Sequence, residues 1–568
     1  MNIYTAAQMR AYDQAATESG IPSMVLMEHA ALRVIEFLEY QFAPLKDKRI
    51  AIFCGKGNNG GDGLACARLL HEAGADVLIL LASSLDELKG DAKKQYEILN
   101  ATNQKFSILD LGNSLSPAQE EKLRHYDIAL DALLGTGFHG APRGDGLLRG
   151  LELLKSTFAT RVAIDIPSGL NSDDGSVAEQ CVPAQFTVTF GGLKKGILLS
   201  HASEFCGEIW IGGIGADNVI APRENTGLQT IDARFVEEHL SHWTDRSAAD
   251  DKRAAGKVLL CGGSLGMSGA PTLSATAVLR SGAGTCIAAL PKQIIPIFAG
   301  ALAEATSLPL PDDEKGRLTP DALPILQDWW KENKGIMALG PGISRSDEAQ
   351  ELVRKIALEC PLPLIIDADA LHALAPIAND LKNRKASLIL TPHGGEMAAL
   401  LEISPKDLPQ DRVETAQRCA EKYNAIIVYK GHYSVVAAPD TNTFPERSRR
   451  DESNNGASTS LSDRYVEISE MYKSTFINLT GNPGMASGGS GDVLTGIVAG
   501  MLAQDQAKNP FLSVLMSVYL HGLAGDVAFE NHGNGLLAGD IANAITEAMR
   551  RAASPKLHEI NSRLFTLE

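Results

Sequence analysis

The sequence has no long hydrophobic run and no excess of basic residues. None of its apolar stretches reaches the ~18 consecutive residues that a transmembrane helix needs. The 52 lysines and arginines stand against 69 acidic residues, and the formal net charge of −17 argues against binding to nucleic acid. The N-terminus shows no basic segment followed by an apolar core, so no secretory signal is predicted.

Paired cysteines are also absent. The eight cysteines are spread singly along the chain, without a CxxC pair, which excludes a zinc cluster or a disulfide framework of the usual spacing. Cys54 and Cys261 end apolar runs, so we expect core positions. The pattern predicts a cytoplasmic location, where thiols stay reduced.

Two successive sets of short apolar runs alternate with helical segments, which predicts an α/β protein with two domains, at 1–228 and 229–568. Thr5-x-x-Gln8 predicts a capped first helix. Predicted strands of the first domain are Ile50–Cys54, Val77–Ala82, Tyr126–Leu130, Arg161–Ile166 and Phe186–Phe190. Those of the second are Lys257–Cys261, Thr285–Leu290, Gly335–Leu339, Leu364–Asp367, Ser387–Leu390, Ile426–Tyr429 and Ser434–Ala438. Helices are predicted at Asp492–Ala503, Leu512–Glu530 and Asp540–Ala552.

A glycine-rich loop follows the first long strand. The segment Gly55–Gly63 (GKGNNGGDG) satisfies GxGxxG and precedes a helix, a pattern typical of phosphate binding by backbone N–H groups. An NAD dehydrogenase would carry an acidic residue at the end of the next strand, where this chain has Ala82, Ser83 and Ser84. The dehydrogenase reading is therefore disfavoured, and the loop's Asn and Asp oxygens suit a hard or alkali cation as well as ribose and phosphate.

Two further loops place a carboxylate at the end of a predicted strand. Asp131 precedes the turn at Gly135–Gly137, and Asp165 precedes Pro167-Ser168-Gly169. Carboxyl ends of parallel strands meet at one edge of the sheet, where α/β proteins bind their ligands. We expect the three loops to converge there.

Four segments of the first half together resemble the epimerase domain of the NAD(P)H-hydrate repair enzymes. They are LMEHAA (26–31), GKGNNGGDG (55–63), DALLGTGFHG (131–140) and DIPSGLN (165–171). The resemblance implies a Rossmann-like three-layer domain that interconverts R- and S-NAD(P)HX, with Asp165 as acid/base at C6 of the nicotinamide. It implies a K⁺ site from Asn59, Asp131 and Ser168. The implied substrate-binding residues are Asn58, Asn59, Gly60, Gly61, Asp62, Gly135, Thr136, Gly137, Phe138, His139, Gly140, Ala141 and Asp165. His29-Ala30-Ala31 departs from the Asn-Ala-Gly usual in the family.

A second glycine-rich turn, Gly481–Asp492 (GNPGMASGGSGD), runs into an apolar helix in the second half. Successive N–H groups at that helix start form an anion site, and Asp492 is a candidate base. No Walker A motif occurs, which excludes the P-loop class. The GxSxG at 262–266 matches a serine-hydrolase elbow, but a triad needs a His after the Asp, and Pro271 fits a helix start.

This turn and six other segments together resemble the ADP- or ATP-dependent NAD(P)HX dehydratases of the ribokinase-like superfamily. The six segments are GKVLLCGGS (256–264), SGAP (268–271), LRSGAG (279–284), GPGI (340–343), TPHGGE (391–396) and KGHYS (430–434). The resemblance implies phosphoryl transfer from ADP or ATP to the hydrate hydroxyl, with Mg²⁺ and with Asp492 as base. Implied hydrate contacts are Ala270, Gly342, His393 and Asp492, and implied nucleotide contacts are Lys430, Gly431, His432, Tyr433, Ser434 and Gly491. Ser344 stands where the family usually has Gly, and Ser434 where it often has Thr.

Alternatives remain open at this point. One is a ribokinase-like small-molecule kinase fused to a nucleotide-binding domain, and another is a first domain that only senses NAD(P). The polar segment at about 440–464 is predicted to be a flexible insertion. We expect NADHX, NADPHX and ADP or ATP as partners, no nucleic-acid or membrane partner, and a homo-oligomer.

Overall fold

The computed structural model describes residues 1–102, 106–216, 226–244, 255–439, 471–553 and 564–567. The chain divides into two compact units. The first contains Asn2–Thr226 and Arg563–Glu568, and the second contains Met1 and Gly227–Ser562. The predicted flexible insertion at about 440–464 lies outside the described residues.

The first unit is built on a parallel sheet. Its helices begin with one whose N-cap, Thr5, forms the predicted capping box with Gln8. The strands up to residue 212 are β1 (Ile3–Tyr4), β2 (Arg49–Cys54), β3 (Asp76–Leu81), β4 (Ser107–Asp110), β5 (Ile128–Ala132), β6 (Thr160–Ile164), β7 (Phe186–Phe190), β8 (Leu193–Lys194) and β9 (Glu208–Gly212). The helices are α1 (Ala6–Glu18), α2 (Ser23–Phe42), α3 (Asn58–Glu72), α4 (Gly90–Ala101), α5 (Pro117–Arg124), α6 (Asp145–Ser156) and α7 (Ser200–Cys206).

Both faces of that sheet are covered, which makes the unit three-layered. Along β2, Ile50, Ile52 and Cys54 pack into one hydrophobic cluster, and Ala51 and Phe53 pack into another on the opposite face. Side chains of a strand alternate between faces, so a continuously apolar strand needs cover on both. The predicted Rossmann-like architecture is confirmed.

The second unit repeats this construction around a larger sheet. Its strands are β10 (Leu228–Ile231), β11 (Lys257–Cys261), β12 (Thr285–Pro291), β13 (Thr306–Leu310), β14 (Ile336–Leu339), β15 (Leu364–Ile366), β16 (Leu388–Leu390), β17 (Ile426–Tyr429), β18 (Val435–Ala437) and β19 (Thr475–Asn478). The helices are α8 (Ala233–Thr244), α9 (Gly269–Arg280), α10 (Ile295–Ala301), α11 (Leu323–Glu332), α12 (Asp347–Glu359), α13 (Ala378–Leu381), α14 (Gly394–Leu401), α15 (Arg412–Tyr423), α16 (Ser490–Gln504), α17 (Pro510–His532) and α18 (Ala538–Ala552).

Strand order places a crevice in each unit. In the first sheet the order β9-β7-β6-β5-β2-β3-β4 reverses direction between β2 and β5, and in the second the order reverses between β11 and β14. Every neighbouring pair in the first sheet is parallel, and in the second only β18 runs antiparallel to its neighbours. Ligands of such sheets bind at the carboxyl ends of the strands at this reversal.

Several predicted strand positions need correction. The third predicted strand, Tyr126–Leu130, begins and ends two residues later in the structure, at Ile128–Ala132. Asp131 is therefore inside β5 and does not follow it. The sequence pattern does not predict β4 or β13, both of which lie at sheet edges and are only partly buried. An edge strand lacks the continuous apolar run of a central one, and β13 also contains Pro309.

One helix is apolar enough to cross a membrane. Among the described residues, the segment Pro510–Gly535, which contains α17, meets that test by length and composition, but 89% of its apolar window is buried inside the protein. Its apolar surface is therefore used in packing the second unit.

The C-terminal strand β20 (Leu564–Leu567) belongs to the first unit, where it pairs in parallel with β9. The predicted domain boundaries do not anticipate this return, because the last residues follow the final helix of the second unit.

Deleting residues 563–568 should destabilise the first unit selectively. The deletion leaves the edge of β9 unpaired, and a few backbone hydrogen bonds at roughly 0.5–1.5 kcal/mol each give a loss of about 2 kcal/mol. Calorimetry should show the transition of the first unit shifted to lower temperature and that of the second unchanged. A thermogram identical to that of the full chain would contradict the pairing.

Candidate active sites

The first unit carries a cavity of about 1220 Å³ at the carboxyl ends of its strands. The loop after β2, the loop after β5 and the residue after β6 all line it, as the three-loop prediction requires. Of the predicted substrate-binding residues, those that line the cavity are Asn58, Asn59, Asp62, Gly135, Thr136, Gly137, Phe138, His139, Gly140, Ala141 and Asp165.

Gly60 and Gly61 are predicted contacts that do not line this cavity. Both are buried in the first turn of α3, where a Cβ on Gly60 would come within 1.8 Å of the carbonyl oxygen of Gly55. A Cβ on Gly61 would come within 2.7 Å of the Met27 side chain. These two glycines allow the first turn of α3 to pack closely against Gly55 and Met27, and neither of them faces the cavity.

Asp165 is held at the cavity by a buried lysine. It follows β6 directly and has φ +66°, a backbone conformation that few non-glycine residues adopt and that is frequent at functional sites. Its Oδ1 accepts hydrogen bonds from Lys194 Nζ at 2.5 Å and from Thr189 Oγ1 at 3.1 Å. Lys194 also donates to Thr189 Oγ1 and to the carbonyl of Phe190. The ammonium fixes the orientation of the Asp165 carboxyl group.

Sequence reasoning did not identify Lys194 or Thr189. Lys194 is only 2% exposed and lies in β8, a two-residue strand that has no periodic signal. The sequence signal that could have indicated Lys194 is its position two residues after Gly191-Gly192, just beyond the buried strand β7. Lysine is almost never buried without a paired acid, so the burial of Lys194 indicates a carboxylate partner, but the sequence does not show that burial.

The three residues predicted for K⁺ converge on one stretch of backbone. Ser168 donates to Asp131 through Oγ at 2.5 Å and through its backbone N at 2.8 Å. Leu134 N donates to Ser168 Oγ, and Asn59 Nδ2 donates to Leu134 O. Asn59 Oδ1 is buried and has no hydrogen-bond partner among the residues that the structure describes.

The electrostatics of this cluster fit a cation. Burial raises the pKa of Asp131, although hydrogen bonds from Ser168 and Leu133 partly offset the effect. A buried carboxylate beside an unpartnered amide oxygen is an incomplete set of oxygen ligands, which is what a hard or alkali cation completes.

The second unit gathers its predicted residues at the start of α16. A Cβ on Gly491 would lie 3.1 Å from Lys430 Nζ and 3.8 Å from an oxygen of Asp367, so the ammonium lies directly beneath the N-terminus of that helix. Asp492 follows in the first turn. Burial and, next, the charge of Asp367 raise the pKa of Asp492 to about 7, although the charge of Lys430 partly offsets them.

Two carboxylates hold the Lys430 ammonium in place. Its Nζ donates to Asp367 Oδ1 at 2.6 Å and lies 3.7 Å from Glu396 Oε2. Burial alone lowers the pKa of Lys430, but the charges of Asp367 and Glu396 outweigh it and the pKa is raised. Burial would raise the pKa of Asp367, yet Lys430 and the hydroxyl of Thr495, at 2.6 Å, hold it below the ordinary value.

The remaining predicted residues surround this network. Ala270 and Gly342 are neighbours at the strand-order reversal, because a Cβ on Gly342 would lie 3.3 Å from that of Ala270. His393 caps α14 through Nδ1, and its ring is exposed. Ser344 takes φ +82°, the left-handed conformation that the glycine usual at this position adopts without strain.

The loop Gly431–Ser434 is shaped by Arg412, a residue that the sequence did not indicate. Its guanidinium donates to the carbonyls of Tyr429 and His432. His521, likewise unpredicted, lies with Nε2 3.0 Å from the carbonyl of Ser490, and burial lowers its pKa to about 4, so it supports the helix start as a neutral ring.

Comparison with known proteins decides the family. A family model described as YjeF-related protein N-terminus matches residues 23–196, and one described as NAD(P)H-hydrate dehydratase matches 258–454 and 463–547. A bifunctional NAD(P)H-hydrate repair enzyme from Moorella thermoacetica is 36% identical over 97% of this chain and 97% of its own. The chain belongs to the bifunctional NAD(P)H-hydrate repair enzymes.

A second bifunctional relative agrees with this assignment. The repair enzyme of Thermofilum pendens is 31% identical over 97% of this chain and 96% of its own. A crystal structure of the ADP/ATP-dependent NAD(P)H-hydrate dehydratase from Bacillus subtilis, co-crystallised with ATP/Mg²⁺, is 28% identical, covers 56% of this chain and 97% of its own, and has a TM-score of 0.43. The prediction of a two-domain repair enzyme is confirmed by the family assignment.

Replacing Lys194 with Met should destabilise the first unit and remove its activity. The change leaves Asp165 buried without its cation, and breaking such a pair typically costs ~3–5 kcal/mol. Chemical denaturation measures the loss. The double variant Lys194→Met, Asp165→Asn has no uncompensated charge, so it should regain much of the stability but none of the activity. A single variant as stable as the parent would contradict the pairing.

Proposed function

We propose that the first unit interconverts R- and S-NAD(P)HX and that the second dehydrates S-NAD(P)HX to NAD(P)H with ADP or ATP as cosubstrate. The observation that supports the first assignment is the Asp165–Lys194 pair at the wall of the cavity. The matching observation in the second unit is Asp492 in the first turn of α16, above the buried Lys430. The eight cysteines are all free and buried, which supports a location of the protein in a reducing cytoplasm.

In the first unit, Asp165 exchanges a proton at the hydroxyl-bearing C6 of the hydrated nicotinamide. Lys194 and Thr189 hold the carboxylate in one orientation, so its free oxygen is the one available to substrate. The Gly135–Ala141 loop and the first turn of α3 then bind the phosphates and ribose, which need N–H donors rather than net positive charge. No redox step is required.

K⁺ would bind at Asn59, Asp131 and Ser168. It would supply positive charge to the junction of the loops after β2 and β5, where Asp131 has hydrogen bonds but no basic partner among the described residues. Its contribution would be to fix the shape of the two substrate-binding loops.

In the second unit, Asp492 takes the proton of the C6 hydroxyl as its oxygen attacks the terminal phosphorus of the nucleotide. Backbone N–H groups at the start of α16 and the ammonium beneath them stabilise the negative charge that develops on the phosphoryl group. The C6–O bond then breaks and phosphate leaves while a proton is lost from C5, and the C5–C6 double bond that forms regenerates NAD(P)H. The Gly431–Ser434 loop and Gly491 would contact the nucleotide.

Mg²⁺ would bind mainly through the phosphates of the nucleotide, with one or two carboxylates of the protein. Within the described ranges, no group of three or more His, Cys, Asp or Glu residues is arranged to hold a metal, and Asp367 is already engaged by Lys430 and Thr495. A homo-oligomer remains a prediction.

Asp165→Asn and Asp492→Asn serve as controls for each other. Asp165→Asn should reduce epimerisation of R-hydrate by about 10²–10⁴-fold while dehydration of S-hydrate continues, and Asp492→Asn should do the reverse. Epimer ratios are read by chromatography, and dehydration is read from NADH absorbance. A product that retains phosphate would favour a small-molecule kinase, and equal loss of both activities in either variant would contradict two separate sites.

The dehydration rate should depend on the ionisation of Asp492. A base must be ionised to accept a proton, so with a pKa of about 7 the value of kcat/KM should rise with pH up to about 7 and level off above it. The measurement is kcat/KM for S-hydrate across this range at saturating nucleotide. A rate that is independent of pH between about 5.5 and 8 would remove Asp492 from the role.

The K⁺ proposal can be tested apart from activity. Thermal unfolding of the apoprotein in KCl and in tetramethylammonium chloride of equal ionic strength should show the first unit more stable in KCl, since a ligand that binds only the folded state stabilises it. Asn59→Leu should abolish the difference by removing the unpartnered oxygen. Equal stability of the parent in the two salts would contradict a K⁺ site.

A further inference from the structure

Asp62 lies in the cavity of the first unit without a partner of its own. It sits in the first turn of α3 and lines the same cavity as Asp165. Among the described residues no donor hydrogen-bonds its carboxyl group, in contrast to Asp165, which accepts from both Lys194 and Thr189. Two aspartates thus face one cavity in opposite states, one paired with a cation and one unpaired.

The surroundings of Asp62 favour its protonated form. Burial raises its pKa well above the ordinary value, the charges of Asp165 and Asp13 raise it further, and Lys194 only partly compensates. Cys66, one turn along α3, is neutral because burial raises its pKa as well. Other charged or titratable residues around the cavity are Arg10, Lys56, Glu87, Asp91, His139, Arg143 and Asp145.

Inverting C6 of the hydrate needs an acid as well as a base. The C6 hydroxyl leaves as water only when it gains a proton, and the lone pair of N1 forms a double bond to C6 as the C6–O bond breaks. Water then adds to the opposite face, loses a proton, and the electron pair returns to N1. One water leaves and one adds, so neither an oxidant nor a further reactant is required.

We propose that Asp62 is the second acid/base group of the epimerase site, donating the proton to the departing hydroxyl while Asp165 takes the proton of the incoming water. In the reverse direction the two aspartates exchange roles. Proton exchange with solvent through the open cavity restores the starting state. The inference rests on the proposed epimerase function and assigns Asp62 a chemical role beyond holding the substrate.

Asp13 provides the matched control. It lies on α1, lines the same cavity, and burial raises its pKa too. Asp62 and Asp13 are both cavity carboxyls without a hydrogen-bonded donor among the described residues, so their Asn variants remove the same chemical group. They differ in that only Asp62 is in the loop–helix segment whose neighbours, Asn58 and Asn59, also line the cavity.

The test uses the full chain with pure R-hydrate and no nucleotide. We expect Asp62→Asn to lower kcat for epimerisation by about 10²–10⁴-fold with little change in KM, and Asp13→Asn to stay within about tenfold of the parent. Asp62→Glu keeps a carboxyl group and should be at least about tenfold faster than Asp62→Asn. In H₂¹⁸O, each epimerisation by the parent should place one ¹⁸O at C6.

Other results would overturn the assignment. A loss confined to KM would leave Asp62 as a binding residue only, and equal kcat values for the Asn and Glu variants would exclude proton transfer by its carboxyl. Epimerisation without ¹⁸O incorporation would exclude the loss and return of water. A parent that does not epimerise R-hydrate at all would instead refute the proposed function itself, which separates the two failures.

Discussion

In each unit a buried lysine ammonium lies against an aspartate at the carboxyl edge of a parallel sheet, and the neighbouring acidic groups depend on that charge. Lys194 is paired with Asp165 in the first unit, and Lys430 with Asp367 in the second. A buried ammonium without a partner costs several kcal/mol, so each lysine depends on its carboxylate. Burial raises the pKa of a further aspartate in each unit, Asp62 or Asp492, and the charge of the paired carboxylate raises it more.

The units differ in what the paired aspartate does. Asp165 lines the cavity itself and is positioned to act on substrate, with Lys194 fixing its orientation. Asp367 is fully enclosed and holds Lys430 beneath the helix start, and in the proposed mechanism the chemistry belongs to Asp492. Asp131 is a third case, since it has hydrogen bonds and no lysine, which is why its cluster with Asn59 and Ser168 suits an external cation.

The sequence predicts local features well and distant pairs poorly. Most central strands follow from continuous apolar runs, although β9 and β19 were not predicted, and glycine-rich turns before helices mark both predicted anion sites. Lys194, Asp367 and Thr495 could not be found this way, because their partners are between 29 and 128 residues distant along the chain and no periodicity links them. The sequence does show that Lys430 is near a site, but it does not show that its ammonium is paired with Asp367. The edge strands β4 and β13 escaped prediction because they are only partly buried.

The most direct test of two separate active sites in one chain is complementation between variants. Pure R-hydrate is supplied with ADP or ATP to Asp165→Asn alone, to Asp492→Asn alone, and to an equal mixture of the two, and NADH absorbance is followed. The account predicts that neither variant regenerates NADH at an appreciable rate and that the mixture does, since each supplies the site that the other lacks. Regeneration at the parental rate by either variant alone, or failure of the mixture, would contradict it.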